Sequence, residues 1–597
     1  MPETGEEPRS EPTRAKRRRS LRFRLILSGV LAIVVAWIVG AAIVAFLGLR
    51  DASHAMSDLE QAKSELSASE LASGGPQSAL DKARKEFSDA SGLLDSPLLT
   101  PAVVLPVIGR QVTSVRDLAH AATDVSSIGV GALGELRGVL DVPHRSGPAR
   151  VEALDQLSRL ASTTYNRLET IDPGPSGRLL PALARRYDQF VGQLDDVRTR
   201  LAHASVVASA LGRILQGPSR YLLLVANNAE MRAGQGMFLD AGMLSIDQGH
   251  IHLGDLYDTG TIPVTPGAVP ISGDLAARWG WLLPSQDWRN LGLTPNFDEI
   301  GPVAASMWRA VEHEKVEGVI SIDIAALQQL LEVTGPVTVS DGSVVSASNV
   351  VQLLMHDEYE GLTFSSSQAQ VARASLLGSL ARATLGALQD RSLDLTTLAT
   401  AMSTATSGRH VELWSSNPSD ESAWAEGGVA GKLTNDSLLA AVLNRSGAKL
   451  DQYLSVRCAL SITSGRTSST ATLSVTMANS TPPGQSPYIA GPYPGLGTVY
   501  GQYVGFLAVD LPADSDTDFH ATGASGPPVA LGADGPVWLI AVPVDIKAGD
   551  TQTVVVHFVL PGVHGSFTIE PSARIPPESW TFRRATFTDA GPVTVSW

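Results

Sequence analysis

Cysteine is nearly missing: Cys458 is the only one in 597 residues, which excludes an intramolecular disulfide framework, thiolate-rich zinc sites and iron–sulfur clusters. Charged residues are also sparse, at 18% against 44% hydrophobic ones. A chain so composed has enough apolar surface to offset its conformational entropy, so disorder is excluded as the dominant state. Nor is the body basic. Forty-five Lys+Arg stand against 60 Asp+Glu, a net charge of −15, although residues 1–24 alone carry eight Arg or Lys and four Glu. The remainder is therefore more acidic still and lacks the electrostatic footprint of a nucleic-acid binder. Neither a GxxxxGK[ST] phosphate loop nor a GxSxG nucleophile elbow occurs. The single GxGxxG match, GVGALG (Gly129–Gly134), lies in a stretch of helical periodicity with no strand before it, which leaves energy-coupled and redox chemistry without a motif.

One long apolar run is present. Leu25–Leu49 holds 25 residues without a charge, about 37 Å of helix and more than a bilayer core requires. A cleaved signal peptide would show an apolar core of only about 7–15 residues. Arg14, Lys16, Arg17, Arg18, Arg19, Arg22 and Arg24 precede the run, whereas Arg50 is followed by Asp51 and Asp58. The positive-inside rule therefore orients residues 1–24 in the cytoplasm and everything after the span outside, with the bilayer as first partner.

Beyond the span, apolar residues recur at steps of three and four: Ala55, Leu59, Ala62 and Leu66, then Leu80, Ala83, Phe87, Ala90 and Leu94. The pattern resumes at Val115, Leu118, Ala122 and Val125, at Leu154, Leu157, Ala161 and Leu168, and at Tyr187, Phe190, Leu194, Val197 and Leu201. This predicts a helical stalk or bundle over 50–213, whose stripes pack on one another or on a second copy. Tyr221–Ala226 then reads as a strand buried on both faces, Gly236–Ile246 and His250–Leu256 as strands joined by a DQG turn, and Glu317–Asp323 as another. Helices around Leu327, Asn349–Met355 and Ala369–Leu388 alternate with them, which predicts a mixed α/β sheet domain over 217–447. From 451 to 597 short Val- and Thr-rich strands without a long amphipathic helix predict a β-sandwich. The expected fold class is α+β multidomain: transmembrane helix, helical stalk, mixed α/β domain and terminal sandwich.

The stretch NNAEMRAGQGMFLDAG (Asn227–Gly242), the DQG turn, EGVISIDIAALQQLLEVTGPV (Glu317–Val337), SASNVVQLL around Asn349, and GRH (Gly408–His410) resemble the actinobacterial envelope family catalogued as domain of unknown function 4012. The family usually shows a Gly-Gly pair after the arginine, where this chain has Gly234–Gln235–Gly236. The order of strand, arginine-bearing loop, GVISID strand, leucine-rich helix and polar helix with a forward arginine is also similar to LytR-CpsA-Psr enzymes. Those move glycopolymers from polyprenyl-pyrophosphate lipid to the cell wall. That likeness implies that Arg232 and Arg373 stand where pyrophosphate-binding arginines stand. The carboxylate which that family places two residues after the first arginine is Gly234 here.

Read from the residues themselves, Asn227, Asn228, Glu230 and Arg232 follow a buried strand, where α/β proteins build sites. A guanidinium fork, two amides and a carboxylate suit a phosphate or glycan ligand; the alternative is a loop fixed by an Arg–Glu pair and Asn turn bonds. Under the transferase likeness a Mg²⁺ ion is implied, whose ligands would have to come from Glu230, Asp240 or Asp255. His250 and His252 share a strand face without a local third ligand, and Cys458 sits in an apolar strand as a packed core residue. Two functions are thus expected of the chain: an extracytoplasmic binding or scaffold protein of cell-envelope or polysaccharide assembly, whose partner is a cell-wall polymer, or a phosphotransferase acting on polyprenyl-linked glycan.

Overall fold

The computed structural model describes residues 108–140, 146–362, 367–391, 395–516 and 518–597, with Arg84, Ser88 and Ser91. The basic tail, the Leu25–Leu49 span and the first stalk helices lie outside the described residues, apart from those three positions. No helix among the described residues is long and apolar enough to cross a membrane. The chain divides into two compact units.

The first unit comprises Met1–Arg145, Glu152–Gly212 and Ser392–Thr400. Its described helices include α1 (Ile108–Leu140), most of α2 (Gly147–Glu169) and most of α3 (Pro181–Gln216). Leu118, Ala122 and Val125 of α1, Leu168 of α2, and Phe190, Leu194 and Val197 of α3 form one buried cluster. These are the stripes at spacing three and four, which a 3.6-residue turn brings to one side of each helix. Gly129–Gly134 lies inside α1, not on a phosphate-binding turn.

The second unit holds Ser146–Val151, Arg213–Arg391 and Ala401–Trp597. Its first sheet contains β1 (Ser219–Met231), β2 (Gly236–Asp247), β3 (His250–Asp258) and β4 (Gly318–Ile322). A short ribbon of β5 (Val337–Thr338) and β6 (Val344–Val345) precedes the last strand, β7 (Val411–Ser415). The order is β3-β2-β1-β4-β7, with only β1 and β4 parallel. The helices that pack on it or on the neighbouring sheet are α4 (Gly273–Trp279), α5 (Phe297–Glu312), α6 (Ile324–Thr334), α7 (Val350–Met355) and α8 (Ser367–Asp390). Alternation along β1 decides what covers each face. Tyr221, Leu223 and Val225 pack with Leu327 and Leu331 of α6, Leu354 of α7 and Leu380 of α8. Leu222, Leu224 and Ala226 pack with Ile300, Ala304, Met307 and Trp308 of α5. A strand covered on both sides needs apolar residues at every position, hence the unbroken run LLLVA. At the β2–β3 turn Gln248 and Gly249 have φ of 47° and 74°, the doubly positive pair of a tight hairpin.

Two six-stranded sheets complete this unit. In chain order their strands are β8 (Ser437–Asn444), β9 (Leu454–Ser464), β10 (Ser468–Asn479), β11 (Tyr503–Leu511), β12 (His520–Thr522) and β13 (Ala530–Asp534). There follow β14 (Val537–Ile546), β15 (Thr551–Pro561), β16 (Ser566–Ile569), β17 (Ser579–Phe582), β18 (Ala585–Thr588) and β19 (Val593–Ser596). The sheets run β12-β15-β10-β9-β17-β18 and β13-β14-β11-β8-β16-β19, and inward residues of both share one core. Cys458 belongs to that core and donates to Glu578 Oε2 at 3.5 Å.

Strand β8 falls inside the range read from sequence as the α/β domain, yet it pairs with β11 and β16. Its even residues Leu438, Ala440 and Val442 enter the core between the two sheets. Leu439, Ala441 and Leu443 pack instead with Leu275 and Trp279 of α4 and with Leu293. The apolar run is explained by burial on both faces; a run of that kind does not say which sheet it joins.

Candidate functional site

Strand β1 continues five residues past the predicted end, taking Asn227, Asn228 and Glu230 out of the expected loop and into the strand. Its pairing with β2 shifts register between Asn227 and Met231, a local irregularity that re-aims the side chains beyond it. Asn227 Nδ2 donates to Leu354 O at 3.1 Å and to Tyr359 Oη at 2.7 Å. Asn228 Nδ2 donates to Asp323 Oδ2 at 2.8 Å and to Ala573 O at 3.0 Å, while its Oδ1 accepts from Ile324 N at 3.2 Å. Both amides are committed to ties between elements, and neither faces the cleft described next.

Glu230 and Arg232 line a cleft of about 430 Å³ together with Asp287, Arg289, Arg445, Lys449, Tyr488 and Tyr493. Arg232 is buried; its Nε donates to Arg289 O at 2.9 Å and its Nη1 to Met231 O at 2.9 Å and Asn444 O at 2.7 Å. The ends of β1 and β8 are thereby clamped to one another. Arg445, directly after β8, donates from Nη1 to Asn290 Oδ1 at 2.7 Å. Arg289 pairs with Asp287 through two bonds of 2.9 and 3.0 Å, and Lys449 pairs with Glu230. The Lys449 ammonium also stands 4.9 Å from the Tyr359 ring centroid, and that ring stacks on Tyr488 at 5.6 Å and 12°.

Four cations therefore divide two and two. Arg289 and Lys449 have carboxylate partners, whereas among the described residues neither Arg232 nor Arg445 forms an ion pair. Burial, and then the charge of Arg445, pushes the Arg232 pKa down to about 10. Burial likewise lowers that of Arg445; the Asp287 carboxylate opposes the shift and Arg289 adds to it, and the net change is downward. Arg232 stays protonated at neutral pH, so the four cations of the cleft outnumber its three carboxylates, Glu230, Asp258 and Asp287, by one. Guanidinium groups so placed recognise carboxylate or phosphate oxygens.

The other residues singled out from sequence lie apart. Arg373 sits on α8, and its side chain is outside the described residues. Asp240 is fully buried in β2, opposite Asp258 in register, and borders a narrow cavity with Asn227 and Glu358. Asp255 is exposed on β3, as are His250 and His252. Among the described residues no group of three or more His, Cys, Asp or Glu side chains converges as a metal seat. In Gly234–Gln235–Gly236 it is the last glycine that backbone approach requires: a Cβ on Gly236 would lie 2.3 Å from Asn227 C, whereas one on Gly234 would have 3.4 Å to its nearest neighbour. Gln235 itself is buried, its Nε2 donating to Arg409 O at 2.8 Å.

Sequence reasoning missed Arg289, Arg445, Lys449, Tyr488 and Tyr493. A signal for two of them existed. The apolar run LLAAVL followed by NRSGAK repeats the texture of YLLLVA followed by NNAEMR, and both polar segments end up at the same cleft.

Beside the cleft lies a closed polar network. Asp451 accepts from Met231 N (2.9 Å), Asn444 Nδ2 (2.8 Å), Tyr503 Oη (3.0 Å) and Arg574 Nη1 (2.8 Å). Asp323 caps α6 through Ala325 N and Ala326 N and bonds His410 Nδ1 at 2.7 Å. Burial lowers the His410 pKa, but Asp323 outweighs it and the net shift is upward. A second buried pair, Asp510 and Asp534, sits where β11 and β13 meet the α/β layer: burial pushes Asp534 up to about 7, and burial together with Asp534 drives Asp510 well up.

Residues 216–359 match the model of a family described as Protein of unknown function (DUF4012), the family that the asparagine-rich stretch resembles. No curated protein and no solved structure matches the chain.

Proposed function

We propose that this chain, with its DUF4012 segment, is a single-pass membrane-anchored extracytoplasmic protein that binds an anionic component of cell-envelope or polysaccharide assembly. The observation that carries the reading is the pair of guanidinium groups, Arg232 and Arg445, that line one cleft and, among the described residues, form no ion pair. A desolvated guanidinium without an ion-pair partner is costly, and an incoming anion lowers that cost. The anchor is supported by the uncharged 25 residues Leu25–Leu49 and the eight basic residues before them, and the terminal β-sandwich by two facing sheets with one core. A glycopolymer transferase would need a deep apolar pocket beside its arginines; here Met237, Leu239 and Leu496 make up most of the apolar lining among charged and polar groups, which favours binding over transfer.

Equilibrium dialysis of the detergent-solubilised full chain against a purified acidic envelope polysaccharide tests the reading. Saturable binding that weakens with salt and falls about tenfold in Arg445→Gln is the expected result, since loss of one charge-assisted bond is worth about that ratio. Binding that ignores both salt and the substitution would remove the proposal. Protease added to intact spheroplasts should digest the bulk of the chain; its protection would refute the orientation.

A further inference from the structure

The cleft holds more than positive charge, and its other features narrow the ligand. Its ionisable lining consists of four cations, Arg232, Arg289, Arg445 and Lys449, and three carboxylates, Glu230, Asp258 and Asp287, so it carries one net positive charge at neutral pH. Tyr493 also forms part of the wall. Its ring packs against the bare backbone of Gly447, where an added Cβ would lie 2.7 Å from Tyr493 Cγ, and it remains 39% exposed. Gly447 has a φ of +66°, a conformation that favours glycine in any case.

We infer that the ligand is a singly charged acidic sugar unit, an inference that rests on the anion-binding reading above. The single negative charge, spread over two oxygens as in a carboxylate or a phosphodiester, sits between Arg232 and Arg445 and balances the lining. The pyranose ring lies on Tyr493, since aromatic faces carry partial negative charge that attracts polarised C–H groups. Its hydroxyls donate to Glu230 and Asp287, whose carboxylates keep acceptor capacity beyond their ion pairs. A compact dianion fits less well, because the lining supplies one net charge and the three carboxylates repel the second. At about 430 Å³ the cleft has the size of a small-molecule site.

Calorimetric titration of the full-length chain in detergent with four probes tests this: cellobiouronic acid, glucose 1-(methyl phosphate), cellobiose and inorganic pyrophosphate. One of the first two should bind about tenfold or more tightly than both cellobiose and pyrophosphate, the ratio one charge-assisted bond supplies; which of them leads identifies the acid group as carboxylate or phosphodiester. Arg445→Gln should erase the advantage over cellobiose. Tyr493→Ala should weaken the acidic sugar severalfold while leaving pyrophosphate unchanged. Pyrophosphate binding as tightly as the acidic sugars overturns the inference and leaves the anion-binding reading intact, whereas heat from none of the probes overturns this inference together with an anion site in the cleft. Should Tyr493→Ala fail to fold, the ranking of the four probes on the unaltered protein decides alone.

Discussion

The hub at Asp451 and the cleft at Arg232 lie side by side and are built from the same residue types, yet they differ in saturation. Asp451 receives four hydrogen bonds, one of them from the buried Arg574. Arg232 gives its bonds to three backbone carbonyls, and Arg445 gives one to an amide. Charge matched inside the protein specifies structure; charge left unmatched at a cavity wall is free to specify a ligand. Asn228 falls on the first side of that division although it stands four residues from Arg232, because every polar atom of its amide already has an internal partner.

The contrast is open to direct attack. Arg574→Met removes one partner of a buried ion pair and should cost about 3–5 kcal/mol, read by urea unfolding; a loss within ~0.5 kcal/mol would mean the hub does not hold the structure. Next comes the acid pair. Asp534 is raised from its ordinary 3.8 to about 7, so its contribution is complete below about pH 4 and is lost as the pH climbs through about 7. The full span of that shift corresponds to about 4 kcal/mol. Thermal melts should therefore show stability falling between about pH 4 and 7 and flattening in Asp534→Asn; an equally steep profile in the variant would reassign the titrating group. Asn228→Ala leaves a backbone N–H and a carboxylate short of partners and should cost about 1–3 kcal/mol. Arg445→Gln should be the mildest of the four, within about 1 kcal/mol, because no ion pair is broken. If it destabilises as much as Arg574→Met, the cleft belongs to the same structural network as the hub and the division fails.

Local pattern alone settled several things. Periodicity of three and four marked the stripes of α1, α2 and α3, unbroken apolar runs marked strands covered on both faces, and turn chemistry marked the β2–β3 hairpin. That Glu230 and Arg232 would stand near a sheet end was legible because they belong to a polar segment after a buried strand; both line the candidate cleft. What the sequence did not decide was partnership. Nothing in NNAEMR tells that Asn227 and Asn228 would turn to Tyr359, Asp323 and Ala573, or that Glu230 would meet Lys449 across 219 positions. Nor does it tell that β8 would leave the first sheet and deliver Arg445 to the end of β1. Periodicity is a property of neighbours along the chain, whereas saturation of a charge depends on groups that only the folded topology brings within hydrogen-bond reach.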